Sequence, residues 1–415
     1  MEGDLDIQVD TDLQAQSILL AASNHDIDAL RNLLRNSSAN VQDEDTGFTP
    51  LHAAIAALEP DEDDKQTNGQ TNGEAGHAKP NEEELQKAVR TVKLLLLNGA
   101  IWNDLDKANE TPGCIANRLG LSELYEVMVD AGVRAELLLN RLDEYQVLGG
   151  DEDDEEDDEE FEVVENGDQA PELVSTEDTT VEAQDAATDA PANPDVKSAE
   201  YLASELTFTG DRLLDADKNG VMMAWETSLM QRSAELLLPS PGLRVLNVGH
   251  GMGIIDKIIQ SKSPASHHII EAHPAVIARM EEEGWKGKQG VTVHGGKWQD
   301  VVPQLVEQGV MFDAIYFDTF AEDYKALRDF FSEQVIGLLD SDGRFGFFNG
   351  LGADRKVCYD VYSKVVEMDL FEAGFDTEWE EISIPDLDAN GEWDGVRRRY
   401  WALDTYRLPT CKFIG

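Results

Sequence analysis

From about residue 240 onward, short apolar runs alternate with stretches of helical periodicity. LRVLNVG (243–249), HHIIEA (267–272), VTVHG (291–295), FDAIYFD (312–318) and GRFGFFN (343–349) have the length and apolar character of buried strands. Amphipathic segments near 253–262, 274–284, 299–308, 322–339 and 355–373 separate them. This alternation predicts an α/β domain with a parallel sheet and helices on both faces. Two later β-rich stretches, TEWEEISI (377–384) and RRRYWALDTYRL (397–408), have no helical segment between them. They are expected to pair as an antiparallel hairpin at one sheet edge, bringing the strands to seven.

The first 140 residues follow a helical repeat pattern instead. GFTPLHAAI (47–55) and ETPGCIANRLG (110–120) each place Thr-Pro at a helix start, where the proline ring fixes φ and its missing N–H costs nothing. LLLLNGA (94–100) and VMVDAGV (127–133) lie 33 residues apart, with Gly99 and Gly132 in register, which is ankyrin spacing. ILLAASNHDIDALRNLLRN (18–36) reads as a preceding helix pair. The spacing from Thr49 to Leu94 exceeds that from Thr111 to Val127, so an insert is expected near 59–84, polar and disordered. With two to three repeats, this small all-α region is expected to lean on its neighbour or bind a protein partner.

Charge separates the two parts. The net charge is −51, and 22 acidic residues with no Lys or Arg fall between Asp143 and Asp195. Residues 141–195 are therefore expected to be a self-repelling linker, which can also attract a basic partner. Direct nucleic-acid binding is disfavoured because phosphate neutralisation needs a Lys/Arg surface. No apolar run approaches the roughly 18 residues needed to span a bilayer, so no membrane partner is expected. Cys114, Cys358 and Cys411 form no metal or disulfide spacing, and with the acidic N-terminus they suggest a soluble intracellular protein of a reducing compartment. No metal site is expected.

Candidate chemistry concentrates after residue 196. VLNVGHGMG (245–253) is a strand running into a glycine-rich turn and a helix, the arrangement that lets a ligand approach backbone at a strand end. Gly249, Gly251 and Gly253 make G-x-G-x-G, and Ile254 stands where a dinucleotide fingerprint has its third glycine. Glu271 ends the next strand, where a carboxylate can accept ribose hydroxyls. Trp298 could meet an adenine ring or simply fill the core. Asp318 stands at the mouth of the fourth strand, and Glu226 lies amid Met, Trp and Thr in GVMMAWETSLM (220–230). A carboxylate in such surroundings is costly unless it meets a cation. Paired carboxylates suit a guanidinium, which they can bind bidentately, orient and relieve of a proton.

VMMAWETSLM (221–230), VLNVGHGMGI (245–254), IIEAHP (269–274), GGKWQDV (295–301) and IYFDTF (315–320) resemble guanidinoacetate methyltransferase in order and spacing. Joined to an ankyrin-like region through an acidic linker, the whole chain resembles the fungal type IV protein arginine methyltransferases. The resemblance implies a seven-stranded Rossmann-like class I methyltransferase domain over 196–415, with S-adenosyl-L-methionine as cofactor. It implies methylation of the arginine δ-nitrogen in a basic, ribosomal protein. It assigns Glu226 and Asp318 to the guanidino group. To the cofactor it assigns Met222, Met230, Gly249, His250, Gly251, Met252, Gly253, Ile254, Ile255, Glu271, Ala272, His273, Lys297, Trp298 and Asp318, with Tyr201, or else Phe208, covering it. Two departures stand out: Asn247 replaces a glutamate, and NGLGADR (349–355) differs from the small-molecule enzyme's carboxylate-binding loop, which favours a larger substrate. The alternatives are a small-molecule guanidino methyltransferase and a non-catalytic adaptor that holds basic proteins.

Overall fold

The computed structural model describes residues 2–60, 80–147 and 197–415. Three helix pairs come first: α1 (Glu2–Ser23) with α2 (Ile27–Leu33), α3 (Pro50–Ala56) with α4 (Glu82–Leu97), and α5 (Pro112–Arg118) with α6 (Ser122–Val147). Both Thr-Pro sites start helices. The hydroxyls of Thr49 and Thr111 accept the N–H groups of His52 and Cys114, and proline takes the first helical turn. His52 extends its cap, reaching the Thr49 N–H through Nδ1 at 3.1 Å and the Glu110 carbonyl through Nε2 at 3.0 Å. The first helices of the pairs stack on one another, and so do the second helices.

Three expectations change here. The insert near 59–84 ends earlier, because Asn81 caps α4 by accepting the Glu84 N–H at 2.9 Å; residues 61–79 lie outside the described residues. Helix α6 crosses the expected boundary at 140 and reaches Val147, and the acidic stretch 148–195 lies outside the described residues. Gly99 and Gly132 are not equivalent. Gly99 follows α4 in the left-handed region at φ 82°, whereas Gly132 lies inside α6. A Cβ on Gly132 would stand 2.7 Å from Val361 Cγ2 and 3.0 Å from the Trp102 ring, so this glycine serves helix approach rather than a turn.

The second part opens with α7 (Ser198–Ala203), an antiparallel sheet of β1 (Thr207–Phe208), β2 (Arg212–Leu214) and β3 (Gly220–Met223), and α8 (Thr227–Leu237). Then follow β4 (Arg244–Val248), α9 (Ile254–Ser261), β5 (Ser266–Glu271), α10 (Pro274–Glu282), β6 (Val291–Gly295), α11 (Trp298–Glu307) and β7 (Phe312–Phe317). The helix expected over 322–339 is three pieces: α12 (Tyr324–Asp329), a π-helical turn (Phe330–Gln334) and α13 (Val335–Leu338). β8 (Leu339–Phe347), α14 (Lys356–Glu372), β9 (Phe375–Ser383) and β10 (Thr405–Phe413) complete the chain.

Seven strands form one sheet in the order β6-β5-β4-β7-β8-β10-β9. β4 to β8 run parallel, and β10 is antiparallel to both its neighbours. This is the class I methyltransferase arrangement. The hairpin expected at the edge forms, but its second strand starts at Thr405 rather than 397. Residues 397–404 are loop because Tyr400 and Trp401 are buried against Trp225 instead of extending the ladder. Aromatic content alone does not decide a strand.

The two parts share one apolar core. It runs from Ile18 through Leu124 and Met128 to Val357, Val361 and Val365 of α14 and on to Phe375. Close approach is secured at Gly113 and Gly132, where a Cβ would lie 2.6 Å from Val357 Cγ2 and 2.7 Å from Val361 Cγ2. Buried Glu136 adds a polar pin, accepting from Trp102 Nε1 at 3.2 Å and from the Tyr362 hydroxyl at 3.3 Å. Among the described residues, no helix is long and apolar enough to cross a membrane.

Candidate active site

Strands β4 and β7 end side by side, and the loops leaving their C-terminal ends build the site. Gly249 has φ 92°, and a Cβ there would stand 1.8 Å from the Asp318 carbonyl oxygen. A Cβ on Gly251, at φ 52°, would stand 2.7 Å from Met222 Cε. These glycines are therefore required first by left-handed backbone and by packing within the protein; ligand approach is a consequence. Behind the turn, fully buried Asp256 accepts Asn247 Nδ2 at 2.9 Å and pairs with His250 Nδ1 at 2.6 Å and His267 Nε2 at 3.0 Å. Burial alone would raise the Asp256 carboxyl; the two histidines outweigh it and hold it below the usual carboxylate range. Asn247 is thus the amide that a buried acid at 256 requires.

Glu271 is fixed by the turn. Its Oε2 accepts the N–H groups of His250 at 2.8 Å and Gly251 at 3.3 Å, and its Oε1 that of His273 at 2.7 Å. Oε2 thus has both its lone-pair positions taken, and Oε1 can accept one further bond. In front lies a cavity of about 640 Å³ lined by Tyr201, Met222, Gly249, Gly251, Glu271, Ala272, Lys297, Trp298 and Asp318 among the residues expected from sequence. Trp298 spends its indole N–H on Glu322, at 3.0 Å, and packs edge-on against Phe317 and Phe330. Tyr201, not Phe208, covers this cavity; Phe208 lies under the Arg279 guanidinium at 4.5 Å.

The other expected cofactor residues lie behind the cavity wall. Met230 and Ile255 are core residues, packed with Val245 and Ile269. His250 turns toward Asp256, and Met252 donates its N–H to the Met222 sulfur at 3.2 Å. Gly253 and Ile254 start α9. His273 caps α10 by accepting the Ala275 N–H, and its Nε2 meets the Tyr201 carbonyl at 3.1 Å. These side chains shape the turn and hold Tyr201 rather than face the cavity.

A second cavity of about 850 Å³ adjoins the first, and both are lined by Val221, Asp318, Thr319, Phe320 and Glu322. Glu226, Phe348, Gly350, Leu351 and Tyr400 are also in its wall. Glu226 is 3% exposed, and its Oε1 accepts both the Met223 N–H at 3.1 Å and the Tyr400 hydroxyl. Asp318 Oδ2 is buried without a hydrogen-bond partner. Burial, then the Asp318 charge, raises the Glu226 carboxyl; burial raises Asp318. The buried Glu226 and the half-buried Asp318, with its orphan buried oxygen, leave a site short of positive charge. Tyr400 was not legible as a site residue, since it lies 174 positions from Glu226 in a segment read as strand.

S-adenosylmethionine fits these residues. Glu271 keeps an acceptor position on Oε1 for a ribose hydroxyl, Tyr201 and Trp298 offer aromatic walls, and Asp318, which carries the orphan oxygen, lines both cavities. Among the described residues no cluster of His, Cys, Asp or Glu could hold a metal ion.

Residues 195–411 match the family model described as guanidinoacetate N-methyltransferase. The chain is 61% identical to protein arginine N-methyltransferase 2 of Aspergillus fumigatus, over 99% of this chain and 98% of that one. It is 38% identical to the Saccharomyces cerevisiae protein of the same name, over 80% of this chain and 79% of that one. Among solved structures, ribosomal protein L11 methylase from Lactobacillus delbrueckii subsp. bulgaricus is 18% identical over 46% of this chain and 81% of that one. Its TM-score of 0.33 is too low to bear on function. The full-length similarity, the seven-stranded sheet and the paired cavities agree: the chain belongs to the fungal protein arginine N-methyltransferase 2 family and is an S-adenosylmethionine-dependent methyltransferase.

Proposed function

We propose that this enzyme methylates the δ-nitrogen of an arginine in a basic protein, a ribosomal protein being the expected class, with Glu226 and Asp318 holding the guanidinium. The observation that carries this reading is the buried, unpartnered Oδ2 of Asp318 beside a second buried carboxylate in one cavity. A guanidinium supplies paired N–H donors and the missing charge. When bound, S-adenosylmethionine supplies an electrophilic methyl carbon on a sulfonium.

The chain's own contribution is positioning and proton handling. The Met223 N–H and the Tyr400 hydroxyl fix Glu226 Oε1, so Glu226 faces its ligand in one orientation. Holding the guanidinium between two acids localises its charge away from the reacting nitrogen, whose lone pair is otherwise delocalised. Carboxyls raised toward neutrality are suited to accept the proton released as nitrogen gains carbon. Tyr201 and Phe320, with ring centroids 4.8 Å apart, wall the cofactor side from water.

The helical pairs are read as ankyrin-like, a surface for a protein partner or substrate, and the expected location is cytoplasm and nucleus. Incubation with labelled cofactor and ribosomal proteins tests the proposal. Fragment ions of the product should place the label on the arginine δ-nitrogen; label confined to small molecules sinks it. The family-model match favours guanidinoacetate as the competing acceptor. That acceptor must be assayed on the full chain, since deleting residues 1–195 would expose the apolar face of α14.

A further inference from the structure

The segment that walls the second cavity is held from the N-terminal helices. Asn349 is fully buried, and Gly350 and Leu351 after it line the cavity. Its N–H donates to the Tyr406 hydroxyl at 2.9 Å, and its amide donates to the Tyr359 hydroxyl at 3.1 Å and the Arg407 carbonyl at 3.2 Å. Arg407 in turn donates its N–H to Tyr359 at 2.8 Å and pairs through its guanidinium with Asp360 Oδ1 at 2.9 Å. The other oxygen of Asp360 accepts the hydroxyl of Tyr125, on α6, at 2.6 Å, and Lys356 at the same distance. The far end of the segment is tied as well, because Arg355 donates to the Asn109 carbonyl at 3.4 Å, in the loop before α5. The links from Asn349 through Arg407 and Asp360 to Tyr125 join groups at least partly buried, where such bonds are strongest, whereas the Arg355 tie is exposed.

We infer that the N-terminal helical region is a structural part of the substrate site: Tyr125, acting through Asp360 and Arg407, positions the Asn349–Gly352 wall. Tyr125 and Asp360 are positioning residues; neither lines a cavity. A partner that engages the outer face of α6 would then reach the substrate cavity through the same bonds without touching the cofactor side. The inference rests on the second cavity being the acceptor site, and its test separates the two.

Tyr125→Phe removes one hydroxyl and keeps the ring, so the fold is retained. In the full-length protein, hydrogen exchange of the amides over 349–353 should accelerate, while those of β4 and β5 should not change. The apparent KM for ribosomal protein acceptors should rise roughly two- to thirtyfold, the range typical of coupling through such networks, with cofactor Kd unaltered. Asp360→Asn, which breaks the charge pairs as well, should act in the same direction and further. Unchanged exchange over 349–353 in both variants overturns the link, as does acceleration that extends equally to β4 and β5 or a matching loss of cofactor affinity. Leu351→Ala reports on the cavity alone. If it raises KM and Tyr125→Phe does not, the link fails and the site stands. If Leu351→Ala leaves KM unchanged, the acceptor-site reading fails, and the exchange result still decides the link.

Discussion

Replacing Glu226 with glutamine should stabilise the protein at pH 7 and remove most of its activity. Burial, reinforced by the charge of Asp318, pushes Glu226 from 4.5 up to about 8. In the unfolded chain the carboxyl ionises near its ordinary value, so at neutral pH folding must take up a proton. At about 1.4 kcal/mol per pH unit, that costs on the order of 3 kcal/mol between the unfolded value and pH 7. The direction follows from the raised value. The penalty is absent below the unfolded value, grows as pH rises, and levels off above the folded value. Glutamine has no charge to neutralise and keeps an oxygen for the Met223 N–H and the Tyr400 hydroxyl. Because Asp318 shares the penalty, the expected gain is about 2–3 kcal/mol at pH 7, fading toward pH 5. Urea unfolding of both proteins, without ligand, at pH 5, 6, 7 and 8 measures it. Methyl transfer by the variant should fall on the order of a hundred- to a thousandfold, as when a preorganised electrostatic group is lost. A variant no more stable than the parent at pH 7, or a gain that does not vary between pH 5 and 7, refutes the reasoning.

Asp318 borders both cavities, so Asp318→Asn should weaken cofactor binding where Glu226→Gln does not; equal, unimpaired titrations in the two variants would contradict that dual role. Tyr400→Phe should lower kcat/KM about tenfold, the worth of one hydrogen bond to a charged group. Since the Tyr400 bond lowers Glu226, losing it should also move the acid limb of the rate profile to higher pH, and a fixed limb would count against the contact. The KM for the guanidino substrate should fall between about pH 6 and pH 8 as the two acids ionise to receive a cation, and initial-rate measurements showing the opposite trend would exclude a carboxylate clamp. Gly132→Val forces a Cβ against Val361 and Trp102 and should cost about 1–3 kcal/mol by thermal unfolding; an unchanged midpoint would mean that α6 does not pack as described.

Where structure depends on neighbours along the chain, the sequence was readable. The run VTVHG coincides with β6, and the helix expected near 274–284 is α10, with Pro274 in its first turn. The Thr-Pro starts predicted α3 and α5 because a cap and a fixed φ are local effects. Asp318 and Glu226 were visible as acids in apolar company, and Glu271 as the acid that ends a strand. Less was legible where local and distant demands disagree. The aromatic residues of 397–404 promise a strand, but burial against Trp225 wins. Gly132 recurs at the repeat spacing of Gly99, yet close packing of α6 on α14 explains it.

What the sequence determined by itself is the strand–helix alternation from β4 onward, the Thr-Pro helix starts, the glycine turn and the two acids, because periodicity, capping and backbone conformation act over a few residues; the small β1–β3 sheet was not legible. Tertiary structure alone decided that Tyr400 fixes Glu226 across 174 positions, that Asp318 keeps an unpaired oxygen between two cavities, and that Tyr125 reaches Asp360 across 235. Each depends on which side chains meet after the sheet closes and α6 docks. A polar atom is satisfied or orphaned only by the neighbours that folding brings to it.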